Sequence, residues 1–168
     1  MRDTHATDGT RFQVGALVAL RLLVGWHFLY EGLAKLTNPY WSSAAYLGDS
    51  KWVFHDLLVR AASSSTAITA VDYINMWGLT LIGLALMVGV FERLTIATAI
   101  VLLAFYYMAA PPFGYAYAVP AEGSYLVVNK ILIEAGALVV LLAHPTAKVF
   151  GLDHFVDRVF AERRVTTH

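Results

Sequence analysis

The chain contains no cysteine. That absence removes disulfides, thiolate metal sites, iron–sulfur clusters and thiol nucleophiles together, so any redox role here needs a diffusible cofactor or a partner. Charge is also scarce. Asp, Glu, Lys and Arg make up 14% of the 168 residues against 58% apolar, and twelve Lys and Arg balance twelve Asp and Glu. With no basic excess there is no field to hold a nucleic acid, and with no acidic excess no acidic disordered tail. The mean hydropathy of +0.60 argues against a water-soluble domain of this size. No HExxH, GxSxG or phosphate-cradling glycine loop occurs, so metalloprotease, serine-hydrolase and nucleotide-site readings have no residues to rest on.

Long apolar runs are what the sequence has in abundance. A hydrocarbon core about 30 Å thick takes about 20 helical residues at about 1.5 Å each. Four runs approach that length, at about 12–36, 67–91, 94–110 and 124–143. Pro111 and Pro112 stop the third, and His144-Pro145 the fourth, because proline lacks an N–H and clashes with the preceding turn. The first run is about twice the length of a signal-peptide core and has no clear small-residue cleavage site, so it reads as a retained span. Lys and Arg are kept on the cytoplasmic side of a membrane. One side collects Arg2, Arg11, Arg93, Lys148, Arg158, Arg163 and Arg164, and the other only Lys35, Lys51 and Arg60. Both termini are therefore expected in the cytoplasm, with residues 111–123, Tyr115 and Tyr117 among them, at the outer interface.

The expected fold is all-α, a polytopic membrane four-helix bundle forming a single domain over residues 1–168, with the lipid bilayer as its first partner. Between the first two spans, Asp49-Ser50 can cap a short outer interfacial helix. Its Trp52, Val53, Leu57 and Leu58 then fall on one side, and Lys51, His55 and Asp56 on the other. After the fourth span, Val149, Leu152, Phe155, Val156 and Phe160 alternate with charged residues at helical spacing. Residues 145–164 therefore read as an amphipathic cytoplasmic tail.

Ionisable residues inside a span cost about 2.5–3.5 kcal/mol each on insertion scales, so each needs a partner or a purpose. The first span carries Arg21, His27 and Glu31 with Lys35 at its outer end; the second carries Asp72; the fourth carries Lys130 and Glu134. Counted from the outer helix ends, Glu31, Asp72 and Lys130 lie about 8–9 Å deep and His27 and Glu134 about 14–15 Å. Arg21 is deeper, with a side chain long enough to reach toward Glu134. Helical phase places Arg21, Phe28, Glu31 and Lys35 on one stripe, and Lys130 with Glu134 on another.

These residues predict a buried polar column in the outer half of the bundle. On one reading the pairs fix helix register. On the other, the column lines a ligand cavity walled by Trp26, Tyr30, Trp77, Tyr106 and Tyr107. A quinone head group suits the second reading: its carbonyls take donors such as Lys130, Arg21 or Tyr30, and its protonation takes an acid such as Glu134 or Glu31. Bis-histidine haem does not fit, because His27 lies in the outer half, His144 at the inner end, and His55 and His154 outside the spans. No haem, metal or nucleotide is expected.

The first span, RLLVGWHFLYEGLAKL, resembles the opening of DoxX/DoxD-type membrane proteins, with an Arg near mid-helix, then a Gly, then a Lys at the outer end. WGLTLIGLALMVGVFERLT is similar to their second helix and its short inner turn. NKILIEAGALVVLLAH, followed by Gly151 to Asp153, is similar to their last helix and closing motif, and NPYW with Tyr46-Leu47 leans to the DoxD side. The matching positions are Arg21, Gly32, Lys35, Arg93, Asn129, Lys130, Glu134 and Asp153.

The resemblance implies a bacterial or archaeal inner-membrane protein, in some relatives a subunit of thiosulfate:quinone oxidoreductase acting with a second subunit. The polar column and the resemblance together make Glu134, Lys130 and Glu31 the candidate catalytic residues. Arg21, His27, Tyr30, Lys35, Asp72, Trp77, Tyr106 and Asn129 are the candidate ligand-binding residues, and Gly32, Arg93 and Asp153 the structural motif. Two other classes stand beside the quinone-linked enzyme subunit: a non-catalytic membrane anchor or assembly partner, including a homo-oligomer, and a small-solute carrier using the same column.

Overall fold

The computed structural model describes residues 3–50, 53–110, 124–125, 127–147 and 150–152, most of them helical. In chain order the elements are α1 (Asp3–Leu36), α2 (Ala44–Gly48), α3 (His55–Ser63), α4 (Ser65–Val88), α5 (Glu92–Ala109), β1 (Ser124–Tyr125), β2 (Val128–Asn129) and α6 (Lys130–Ala143). Three stretches, Thr10–Leu36, Ser65–Val88 and Glu92–Ala109, are long and apolar enough to cross a membrane. Their exposed Leu, Ile, Val and aromatic side chains suit a lipid surrounding.

The helix boundaries follow local chemistry. Ser64 caps α4, its Oγ accepting from the Ala67 N–H. Gly89 ends α4 in the left-handed region at φ 73°, and the Val90 N–H closes back onto the Ala85 carbonyl, a Schellman-type stop. The fourth run departs from expectation. Helix starts only at Lys130, because the Asn129 side chain accepts from the Leu132 N–H and caps it there, while residues 124–125 and 128–129 pair as a short antiparallel hairpin. With 14 residues, α6 is about 21 Å long.

The connection after α1 also differs from the expected helix. Asp49 ends α2 rather than beginning a helix, α3 starts after Phe54 with no side-chain cap, and the Ser50 hydroxyl donates to the Ala109 carbonyl at 2.7 Å. Leu58 is buried with Leu47 and Ala109, whereas Val53 and Leu57 are exposed. Lys51 and Trp52 lie outside the described residues, as do Asp153 and most of the expected 145–164 tail. The part of that tail that is described, 145–147 and 150–152, is not helical and folds back on the α4–α5 turn, with the Leu152 N–H donating to the Val88 carbonyl.

The core draws on α1, α4, α5 and α6 through Val24, Phe28, Leu79, Leu86, Ile96, Leu103, Leu138 and Leu141. Its tightest seam is α1 on α4. Gly32 lies against Thr80, Gly83 against the Leu29 and Gly25 backbones, and Gly25 against Leu86 and Met87. Small residues are what allow helix backbones to come this close. The resulting antiparallel register sets Arg21 level with the α4–α5 turn and carries the start of α4 past the end of α1, toward α2 and α3. Gly83→Val places a side chain into the α1 backbone, an overpacking expected to cost about 1–3 kcal/mol or more. Thermal unfolding in detergent should show a clear drop for Gly83→Val and little change for Gly15→Ala, which has open space around it; equal stability of the two variants would sink the account of the seam.

Candidate functional site

Charged side chains gather at the two ends of the helical body, and the two groups differ in kind. At the α4–α5 turn, Arg21 is 1% exposed and Glu92 3% exposed. Arg21 Nη1 stands 3.6 Å from Glu92 Oε1 and donates to Thr146 Oγ1 at 3.1 Å, while Nη2 donates to the Phe150 carbonyl. The Thr146 hydroxyl in turn donates to Glu92 Oε1 at 3.0 Å, and the Ala147 N–H donates to Oε2 at 2.7 Å. Gly89 and Gly151 close over the guanidinium, where a Cβ at Gly89 would meet Arg21 and Gly151. The sequence assigned Arg21 to the ligand-binding column beside Glu134. The structure corrects this: Arg21 is locked at the far end by a carboxylate in the first turn of α5 that the reading of the spans passed over.

Toward the end covered by α2 and α3, a cavity of about 290 Å³ opens among α1, α4, α5, α6 and the 41–46 segment. His27, Glu31, Lys35, Tyr106, Lys130 and Glu134 all line it. Glu31 and Lys35 pair at 2.7 Å one turn apart on α1. Lys35 Nζ also lies 5.6 Å from the centre of the Trp41 ring, a cation–π distance. His27 Nε2 and Glu134 Oε2 stand 3.6 Å apart across the α1–α6 seam, with Glu134 only 15% exposed. The floor is apolar, made by Phe28, Leu79, Leu103 and Ile131.

Other candidates fall elsewhere. Asp72 was expected level with Glu31 and Lys130; the glycine seam instead carries it past the end of α1, where it accepts from the Ser43 N–H at 2.8 Å and from the Ser43 hydroxyl. It therefore fixes the cavity's rim without lining it. Tyr30 and Trp77 are 61% and 50% exposed and face outward with Trp26, because the face of α1 packed on α4 is the one bearing Gly25, Phe28 and Gly32. Tyr107 donates to the Val127 carbonyl and steadies the hairpin before α6. Asn129 caps α6. Gly32 is a packing residue, and Arg93 is exposed on α5.

The cavity also contains residues not anticipated from the sequence: Trp41, Ser42, Ser43, Tyr46 and Asn75. The Tyr46 hydroxyl donates to the Tyr106 carbonyl at 2.9 Å and ties the rim to α5. Asn75 had a signal, as an uncharged polar residue within an apolar run, but the search for buried groups took only ionisable ones. Among the described residues no cluster of three or more His, Asp or Glu side chains is arranged to hold a metal. Comparisons with protein families, with curated proteins and with solved structures return no match.

The turn-end cluster is a structural clasp whose energetics can be separated from the cavity. Leaving Glu92 buried without its cation should cost about 3–5 kcal/mol, whereas removing both charges together should recover much of that. Arg21→Met is thus expected to lower the melting temperature sharply and Arg21→Met with Glu92→Met to restore part of it. A double variant no more stable than the single would show that the pairing is not what holds this end.

Proposed function

We propose that the chain is a membrane subunit of a quinone-linked oxidoreductase, with the cavity as its quinone site. The observation that carries this reading is the composition of a single cavity: an apolar floor suited to a ring, faced by a lysine and by a carboxylate–imidazole pair able to exchange protons. Lys130 is placed to polarise a ring oxygen, and Glu134, steadied by His27, to deliver or remove a proton as the ring changes oxidation state. Glu31 is committed to Lys35 and serves as the more distant member of the relay. The electrons come from a second subunit, a division of labour that suits a chain without cysteine. The motif order from Arg21 to Lys35 and from Asn129 to Glu134, which resembles DoxX/DoxD-type proteins, supports thiosulfate as the donor to that partner.

In this reading α6 is the fourth membrane span, completing a four-helix bundle in a bacterial or archaeal inner membrane with both termini cytoplasmic. The distribution of Lys and Arg supports the orientation. The shortness of α6 is accommodated by its capped end: Asn129 and Lys130 lie beside the polar cavity, where the backbone need not face lipid.

Two measurements test the proposal. Mass spectrometry of the gently purified protein is expected to find retained quinone. Thiosulfate-dependent reduction of a short-chain quinone by the complex is expected to fall at least about a hundredfold in Glu134→Gln, the scale of a lost general acid. Lys130→Ala is expected to lose the retained quinone. A folded protein with no quinone, and turnover indifferent to Glu134, would return the chain to a role as a non-catalytic anchor or assembly partner.

A further inference from the structure

Two polar atoms buried in the cavity make no hydrogen bond among the described residues: the Asn75 carbonyl oxygen and the Tyr106 hydroxyl. They come from different helices, α4 and α5; the two side chains are neighbours, yet the Asn75 carbonyl oxygen lacks a donor and the Tyr106 O–H an acceptor. Orphaned polar atoms in an interior lower stability and call for a reason. Several of their neighbours are already taken up with one another. Lys35 is held by Glu31, Glu134 faces His27, Ser43 is bound to Asp72, and the backbone carbonyl of Tyr106 itself accepts from Tyr46.

We propose that Asn75 and Tyr106 recognise the polar end of the ligand, and that they make the cavity selective for a neutral ring hydroxyl, a quinol or a phenol. This inference rests on the reading of the cavity as a site for a ring-bearing amphiphile. A hydroxyl satisfies both orphans at once, donating to the Asn75 carbonyl oxygen while accepting from the Tyr106 O–H. A ring carbonyl only accepts, so it engages Tyr106 and leaves the Asn75 oxygen without a donor. A dianion such as thiosulfate also brings no proton to Asn75, and it would have to sit among the carboxylates of Glu31 and Glu134, with Lys35 already committed to one of them. The preference therefore runs from reduced ring to oxidised ring to inorganic anion. Leaving a site's buried polar groups unpaired is the most effective way such a site rejects the wrong ligand.

The test uses the full chain in detergent, with quenching of tryptophan fluorescence as the binding signal, since Trp41 lines the cavity. The probes are a short-chain benzoquinol kept anaerobic, the matching benzoquinone, and thiosulfate alone. The quinol is expected to bind about fivefold or more tighter than the quinone, the effect of one neutral hydrogen bond, and thiosulfate not measurably. Tyr106→Phe and Asn75→Leu are each expected to weaken quinol binding about fivefold, with Asn75→Leu leaving the quinone nearly unchanged.

Both variants remove an orphan, so the ligand-free melting temperature should hold or rise while affinity falls, a combination a purely structural role would not give. Tyr106→Phe deletes one oxygen and leaves the Tyr46 bond to the backbone in place, so it carries the test if Asn75→Leu fails to accumulate. Equal affinity for the two ring forms, or variants that bind quinol as wild type does while Lys130→Ala loses it, would overturn this inference and leave the cavity reading standing. No binding of either ring by the wild type would overturn both.

Discussion

The close approach of α1 and α4 governs the rest of this structure. Gly25 and Gly32 on one helix and Gly83 on the other leave so little room that a single added Cβ would strike backbone. Such a seam admits one register, because sliding either helix by a residue brings a larger side chain to the same place. That register has two consequences at opposite ends. It brings the Gly89 turn alongside Arg21, where Glu92 follows within a few residues. It also carries Asp72 beyond the end of α1, where the rim of the cavity needs an acceptor for Ser43. The cavity lies between these two fixed points, over the ring of Phe28, which the same seam buries to 1% exposure.

The two charged groups show how burial decides what a charge is for. At the turn, both oxygens of Glu92 and both terminal nitrogens of Arg21 are engaged, and the pair is almost fully enclosed. A pair so completely satisfied is a fastener; its strength comes with its isolation, and a ligand would find only the Arg21 Nε left unpartnered. In the cavity both ion pairs are partly exposed, and some polar atoms are left over. Incomplete satisfaction carries a cost in stability, and proteins keep it chiefly where something binds.

Much of this was legible in the sequence. The long apolar runs marked the three helices that are long and apolar enough to cross a membrane, and His27, Glu31, Lys35, Lys130 and Glu134, grouped in the sequence by depth, line one cavity. Depth was misjudged for Arg21 and Asp72, for one physical reason: it was counted from helix ends, as though the helices began and ended at common planes. Helices joined by a glycine seam are staggered by their packing, and nothing in a run of apolar residues states that stagger. The start of α6 was misplaced because Asn129 acts as a cap, which outweighs the hydrophobicity of the residues before it. The aromatic wall was misassigned to Trp26, Tyr30 and Trp77 because composition cannot say which face of an apolar helix turns to lipid.

The cavity's walls differ in how firmly they are fixed, and this suits the proposed site, which would both hold a ring and move protons. Its rim is tied to α4 through Ser43 and Asp72 and to α5 through Tyr46, with Ser50 anchored to the last carbonyl of α5. Together with the α1–α4 seam these bonds make a rigid three-sided frame that sets the shape of the space. The fourth side, α6, brings Lys130, Ile131 and Glu134, and its acid meets the frame through His27 at 3.6 Å, long for a hydrogen bond. A carboxylate held by proximity in this way keeps lone pairs available, whereas both oxygens of the Glu92 carboxylate already accept hydrogen bonds in an enclosed site. On the proposed function, the frame would do the recognising, through Asn75, Tyr106 and the apolar floor, and the less tightly bonded helix would supply the groups whose protonation changes.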